Sequence, residues 1–259
     1  MLLTYYQWLI EKIISVPSLA ILSEYFLSTV ASNHSTQAHL QGEPSLMLDA
    51  VSCERGERLL VEHLSLTVTA GQGVRVEGPN GSGKTTLLRV LAGLSQQYSG
   101  TVSWCGNDIR QARAALAADT LYIGHLAGVK ALLSPLENLA WWVSLHIPSP
   151  EPLSKTSLLN ALSQVGLQRF VNTPCHQLSA GQQRRIALAR LYLSQHRLWI
   201  LDEPFTAIDA AGVVLLEQRI AEHLAKGNMA IITTHQAMQI DGFISCSLNA
   251  AQSEEAISR

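Results

Sequence analysis

Gly78-Pro79-Asn80-Gly81-Ser82-Gly83-Lys84-Thr85 has the spacing G-x-x-x-x-G-K-[ST] of a phosphate-binding loop. Its glycines carry no side chain, so consecutive backbone N–H groups can turn toward phosphate oxygens. Lys84 adds a point charge for the β- and γ-phosphates, and the Thr85 hydroxyl can ligate Mg²⁺. All eight residues, with Thr86 behind them, are expected at a nucleotide. Gly73-Val-Arg-Val-Glu77 reads as a short buried strand before the loop. Thr85-Thr-Leu-Leu-Arg-Val-Leu-Ala92 reads as a helix after it, its N-terminus toward the phosphates. A chance match in a glycine-rich turn would lack that context.

A second stretch answers the first. Leu198-Trp-Ile-Leu-Asp202-Glu203 is an apolar strand with two acids at its carboxyl end. Ligands of an open parallel sheet bind at that edge. Asp202 is placed to hold Mg²⁺, and Glu203 to polarise an attacking water. Alone, the pair could be two solvated acids. Leu178-Ser179-Ala180-Gly181-Gln182-Gln183 precedes the helix carrying Arg184 and Arg185. Ser179 and Gly181 there suit a γ-phosphate at a helix N-terminus, or simply cap the helix.

Buried strand patterns at 73–77, 120–124, 197–201 and 229–233 alternate with helical patterns, which means a mostly parallel sheet. Met47 to Cys53 and Leu59 to Val68 read as strands around the charged turn Glu54–Arg58. Thr101 to Trp104 reads as another, and Asn107 to Ala118 as a loop or short helix. Residues 126 to 180 differ: apolar residues recur at helical spacing between prolines, as in a helical subdomain inserted in an α/β core. Trp141 and Trp142 in its first long helix are either core or a surface that docks a partner helix. Ala211 to Lys226 is an amphipathic helix capped by Gly227.

Of the 259 residues, 47% are hydrophobic and 15% charged, which fits a well-filled core. A net charge of −2 gives no basic footprint, so nucleic acid is not an expected partner. Four cysteines lack C-x-x-C spacing, which argues against a disulfide framework, a zinc site or haem attachment. No run of apolar residues is long enough to span a membrane; Pro17, Glu24 and serines interrupt the nearest, Ile13 to Ala31. Residues 1–31 are apolar and 32–46 a polar linker. They read as an interfacial helix, a marginal anchor, or a segment outside the folded domain. The last is the expectation, with Met47 as an alternative initiator and the domain running 47–259.

Taken together, the motifs resemble the nucleotide-binding ATPase of ABC transporters over roughly residues 47 to 250. The resemblance implies an α/β fold: a phosphate-loop core of mostly parallel sheet, an antiparallel β subdomain and the helical insertion. Ser179, Ala180, Gly181 and Gln182 match the signature, with Ala180 in place of a glycine. Asp209 matches the D-loop and His235 the switch histidine. Arg55 stands where the family stacks an aromatic on adenine, and His125 where it has its Q-loop glutamine. Those departures, in Cys53–Arg58 and Ile123–His125, are similar to one subfamily, the haem exporter ATPases of bacterial cytochrome c maturation.

The resemblance implies ATP and Mg²⁺ as ligands, with Thr85 and Asp202 at the metal and Lys84, Glu203 and His235 as catalytic residues. It implies a head-to-tail dimer in which each phosphate loop meets the other copy's Ser179–Gln182. It implies integral membrane permease subunits as partners, and a peripheral place on the cytoplasmic face of the bacterial inner membrane. Either haem crosses or ATP drives release of a haem-loaded chaperone; both stay open. An ATPase for another transported substrate is the alternative. A soluble ABC protein acting on DNA or ribosomes would bring a second ATPase domain or a coiled coil, and the sequence has neither.

Overall fold

The computed structural model describes residues 44–248 apart from 57, 148–152, 237 and 239. Residues 1–43, where most of the expected N-terminal extension falls, lie outside the described residues. The antiparallel layer is a four-stranded sheet in the order β2-β1-β4-β5, with β1 Ser45–Arg55, β2 Arg58–Thr69, β4 Tyr98–Trp104 and β5 Asn107–Asp108. β1 begins two residues before the boundary read from the sequence. Leu46 is fully buried, opposite both Val68 and Trp104, so Ser45 and Leu46 belong to the fold. The β1–β2 register shifts between Leu48 and Val51, and side chains patch the gap: Ser65 Oγ accepts from Ala50 N at 3.0 Å and Ser52 Oγ from His63 N at 2.9 Å.

The second sheet is wholly parallel, ordered β6-β7-β8-β3-β9: β3 Gly73–Glu77, β6 Thr120–Ile123, β7 Leu198–Asp202, β8 Met229–Thr233 and β9 Phe243–Ser247. Every residue of β7 and β8 is buried. Such strands read as continuous apolar runs because both faces are covered. Alternation splits them between two cores. Leu198, Ile200, Met229 and Ile231 pack toward the antiparallel sheet and helix α1, Lys84–Leu91. Trp199, Leu201, Ala230 and Ile232 pack toward the helical side.

Helix α1 ends in a paired turn: Gly93 N donates to Val90 O at 2.9 Å and Leu94 N to Arg89 O at 2.8 Å, with Gly93 at φ 69°. The segment between Asn107 and Ala118 holds β5 and a short helix α2, Arg113–Asp119. The helical region contains α3, Pro135–His146, α4, Lys155–Gln164, and α5, Ala180–Ala189. α3 starts on a reciprocal cap: Ser134 Oγ accepts from Glu137 N, and Glu137 accepts from Ser134 N. Trp142 is core, 3% exposed. Trp141 is half-buried, with the Lys130 ammonium 4.6 Å from its ring. The last helix, α6, spans Ala210–Ala225. No helix among the described residues is long and apolar enough to cross a membrane.

Candidate active site

The phosphate loop runs from the end of β3 to the start of α1. A side chain at Gly78, φ 148°, would place its Cβ 2.5 Å from Leu248 O and 2.6 Å from Ser82 Oγ, so only glycine fits. Ser82 Oγ is buried with no hydrogen-bond partner among the described residues. Lys84 Nζ donates to Gly78 O at 2.7 Å and Pro79 O at 3.1 Å, which holds the ammonium over the loop. No acid stands in the first turn of α1, so its positive dipole end is open to an anion.

The carboxyl edge of the parallel sheet supplies the other wall. Asp202 and Thr233 are cross-strand partners at the ends of β7 and β8. Thr233 Oγ1 donates to Asp202 Oδ1 at 2.8 Å, and Thr85 Oγ1 donates to Asp202 Oδ2 at 2.9 Å. The carboxylate therefore joins α1, β7 and β8, and both of its oxygens meet neutral hydroxyls. Glu203 follows with a left-handed backbone, φ 52°. Its N–H donates to Thr233 Oγ1 at 2.9 Å, which fixes the turn. Glu203 Oε1 is buried without a hydrogen-bond partner among the described residues, 3.4 Å from His235 Nε2. A buried carboxylate oxygen with spare lone pairs can accept a proton from a water.

Arg184, in α5, ties these pieces together. Its guanidinium is buried and donates to the backbone carbonyls of Gly124, His125 (3.4 Å), Asp202 (2.6 Å) and Glu203 (3.2 Å). Burial pushes its pKa down from the usual arginine value. The carbonyl of the loop bearing His125 and the carbonyl under Glu203 thus share one donor. On the same helix Arg185 reaches Asp209 Oδ2 at 2.8 Å, and Asp209 caps α6 by accepting from Gly212 N at 2.8 Å. Ser179 and Gln182 close a reciprocal cap: Gln182 Oε1 accepts from Ser179 N at 2.9 Å and Ser179 Oγ from Gln182 N at 3.2 Å. A Cβ at Gly181 would stand 3.2 Å from Ala207 O, so α5 sits close on the loop after Glu203.

One cleft of about 630 Å³ gathers the expected residues: Asn80, Gly81, Gly83, Lys84, Thr85 and Thr86 on one side, Asp202, Glu203, His235 and His125 on the other, and Arg55 at the β1–β2 hairpin. Ser179, Ala180, Gly181, Gln182 and Asp209 do not line it, and Ser179 and Ala180 are exposed on the surface. Sequence reasoning missed Arg58, Leu60 and Thr206, which do line it, and Thr233 and Arg184, which act on Asp202 and Glu203. Strand periodicity could have found Arg58 and Leu60 on one face; nothing local marks Thr233 or Arg184. A hard divalent cation fits this donor set. Thr85 Oγ1 and Asp202 offer oxygen ligands, and Mg²⁺ commonly takes one or two protein oxygens with phosphates and water. No cluster of three His, Cys, Asp or Glu occurs among the described residues to hold a metal by itself.

The model of the ABC transporter family matches residues 61–206. This chain belongs to the ABC transporter family. It is 50% identical over 195 residues to the cytochrome c biogenesis ATP-binding export protein CcmA of Pseudomonas fluorescens, covering 75% of this chain and 90% of that protein. It is 47% identical over 204 residues to the protein of that name from Photobacterium profundum, covering 76% and 94%. Among solved structures, an ABC transporter ATP-binding protein from Pyrococcus furiosus superposes with a TM-score of 0.68 at 24% identity, over 79% of this chain and 97% of that one. A dimeric ATP-binding cassette bound to ADP and phosphate superposes with a TM-score of 0.67 at 23% identity, over 80% and 97%. These likenesses account for the ABC fold; at such identity they carry the fold alone. The identities to the CcmA proteins place this ABC chain in their group.

Proposed function

We propose that this chain is the ATP-hydrolysing subunit of a membrane complex that delivers haem for c-type cytochrome assembly. The observation that carries the chemistry is the meeting of Lys84, Thr85, Asp202, Glu203 and His235 in one cleft. Lys84 and the loop N–H groups bind and orient the triphosphate. Bound Mg²⁺, held by Thr85 and Asp202, would supply positive charge at the β- and γ-phosphates. Glu203 takes a hydrogen bond from the attacking water and accepts its proton. Its Oε1, buried with no hydrogen bond among the described residues, supports that role. His235 Nε2 stands beside it, where it can donate to a γ-phosphate oxygen. Arg184 keeps the backbone beneath Glu203 and beside His125 in register with α5.

The signature supports a dimer. Ser179 and Ala180 are exposed and outside the cleft of their own chain, where they are available to the nucleotide of a second copy. The solved cassette bound to ADP and phosphate is itself dimeric. The haem role rests on the proteins named for cytochrome c biogenesis export, to two of which the chain is 50% and 49% identical. Integral membrane subunits would carry the substrate path, and the chain would sit peripherally on the cytoplasmic face of the inner membrane. Deleting the gene in its host and staining for covalent haem tests the reading. Loss of c-type cytochromes, restored by the wild-type gene and not by a Glu203→Gln copy, is expected. Undiminished haem staining would remove the haem role, and purified protein without ATPase activity in its complex would remove the chemistry.

A further inference from the structure

One hydroxyl touches both acids of the carboxyl edge. Thr233 ends β8, is fully buried, and is the cross-strand partner of Asp202. Its Oγ1 accepts from Glu203 N at 2.9 Å and donates to Asp202 Oδ1 at 2.8 Å. Packing does not call for this hydroxyl. Met229 and Ile231, which precede it on the same face of β8, are apolar and pack toward α1. Valine has the same branching at Cβ and would fill the same place. Nor does the turn at Glu203 hang on the hydroxyl alone. Glu203 N also donates to Thr233 O at 3.2 Å, continuing the ladder between β7 and β8.

The direction of these bonds says more than their number. A backbone N–H only donates, so Thr233 Oγ1 is the acceptor from Glu203. A hydroxyl has one proton, and that of Thr233 goes to Asp202 Oδ1. An ionised carboxylate only accepts, so its other oxygen, Oδ2, takes the proton of Thr85 Oγ1 at 2.9 Å. The Thr85 proton is thereby committed, and its oxygen lone pairs are left for a cation. Two hydroxyls hold the Asp202 carboxylate, one at each oxygen. Without Thr233 Oγ1 a single hold remains, and the carboxylate can turn about its Cβ–Cγ bond.

We propose that Thr233 is a positioning residue for hydrolysis. Its hydroxyl fixes the Asp202 carboxylate in the orientation that turns the Thr85 lone pairs toward Mg²⁺. The same oxygen ties that carboxylate to the backbone of Glu203, so the metal ligands and the base keep one register. The inference rests on the metal and base roles proposed above.

Titration calorimetry of the full chain with ATP, once with magnesium and once with EDTA, tests it. A Glu203→Gln background keeps the ligand from being consumed, and the tightening that magnesium brings is the readout. Thr233→Val should remove most of that tightening, a loss of about tenfold, while the Kd in EDTA stays within about threefold of the parent's. Thr233→Ser keeps the hydroxyl and drops the methyl, and should return the tightening to within about threefold. With Glu203 intact, the valine variant should also lose about 10- to 100-fold in turnover, which serine recovers. Should the valine variant fail to fold, Thr233→Cys, whose thiol is a weak donor, is expected to lose tightening in the same direction. Parental tightening in a folded valine or cysteine variant, or a serine variant as weak as valine, overturns the positioning role and leaves the phosphate site standing. If magnesium tightens nothing in the parent, the metal reading of Thr85 and Asp202 falls and takes this one with it.

Discussion

Asp119 and Asp202 lie buried at opposite edges of the parallel sheet, and they are satisfied in different ways. Asp119, at the amino edge, is fully buried; it accepts from Trp104 Nε1 at 2.8 Å and from Arg197 Nε at 3.1 Å and is ion-paired to that guanidinium. Asp202, at the carboxyl edge, is 3% exposed and accepts from the Thr85 and Thr233 hydroxyls, with no cation on its carboxylate among the described residues. Arg184 donates to the Asp202 backbone carbonyl instead. A buried carboxylate with a guanidinium on it is a finished structural unit. One held by neutral hydroxyls, with the Arg184 guanidinium acting on it through space but not bonded to its oxygens, keeps lone pairs free, and a buried carboxylate is paired or coordinates a metal. The same side chain is thus ion-paired at one edge and held only by hydroxyls at the other.

Glu203→Gln should break the carboxyl edge most. It removes the proposed proton acceptor while leaving shape and hydrogen-bonding capacity, so turnover should fall by about 10²- to 10⁴-fold with nucleotide binding kept. Single-turnover hydrolysis beside calorimetry checks this, and unchanged turnover would take the base role from Glu203. Next come the two aspartates themselves. Asp119→Ala should cost about 3 kcal/mol of folding stability, because Arg197 and Trp104 lose their partner. Asp202→Asn should leave the melting temperature near wild type and abolish magnesium-dependent turnover. Denaturant unfolding of both variants decides; a large stability loss for Asp202→Asn with activity kept would erase the distinction between the edges.

Acid titration sharpens the amino edge further. His223 in α6 stacks on Trp199 with ring centroids 3.6 Å apart, and its Nε2 lies 3.2 Å from Met229 O, to which it donates. Burial pushes its pKa from 6.5 down to about 3. The unfolded chain binds the proton below 6.5 and the folded chain does not, so stability is lost as pH falls. The loss should reach about 1–2 kcal/mol by pH 5.5. His223→Gln should flatten that slope in chemical denaturation between pH 7 and 5.5; an unaltered slope would place the acid sensitivity elsewhere. The smallest effect is expected from His125→Gln. The loop is held through its backbone carbonyls by Arg184, so ATP hydrolysis by the variant should stay within about threefold of wild type. Complete loss would assign the imidazole a role of its own.

The sequence made the carboxyl edge legible because its signals are local. The loop at 78–85 and the acids after β7 are contiguous, and their spacing states their chemistry. The central strands were legible because burial on both faces leaves unbroken apolar runs. β9 was missed: Phe243-Ile-Ser-Cys-Ser247 is a short edge strand with three exposed residues, too polar to read as the parallel neighbour of β3. The helix after Ser179 ends at Ala189 and tightens at Arg190–Tyr192 into a 3₁₀ turn, where no glycine or proline marks the change. Thr233 and Arg184 escaped notice because their partners lie 31 and 18 residues away along the chain. Arg58 escaped because its meaning depends on which residue of β1 it faces.

The left-handed backbone at Glu203, φ 52°, sets backbone strain against chemistry at a single residue. A residue with a Cβ pays about 1–2 kcal/mol in that conformation, whereas glycine pays little and asparagine less than most. Neither could take a proton from water as a carboxylate does. Under the proposed role of Glu203 as base, glycine at this turn would relieve the strain and remove the proton acceptor together.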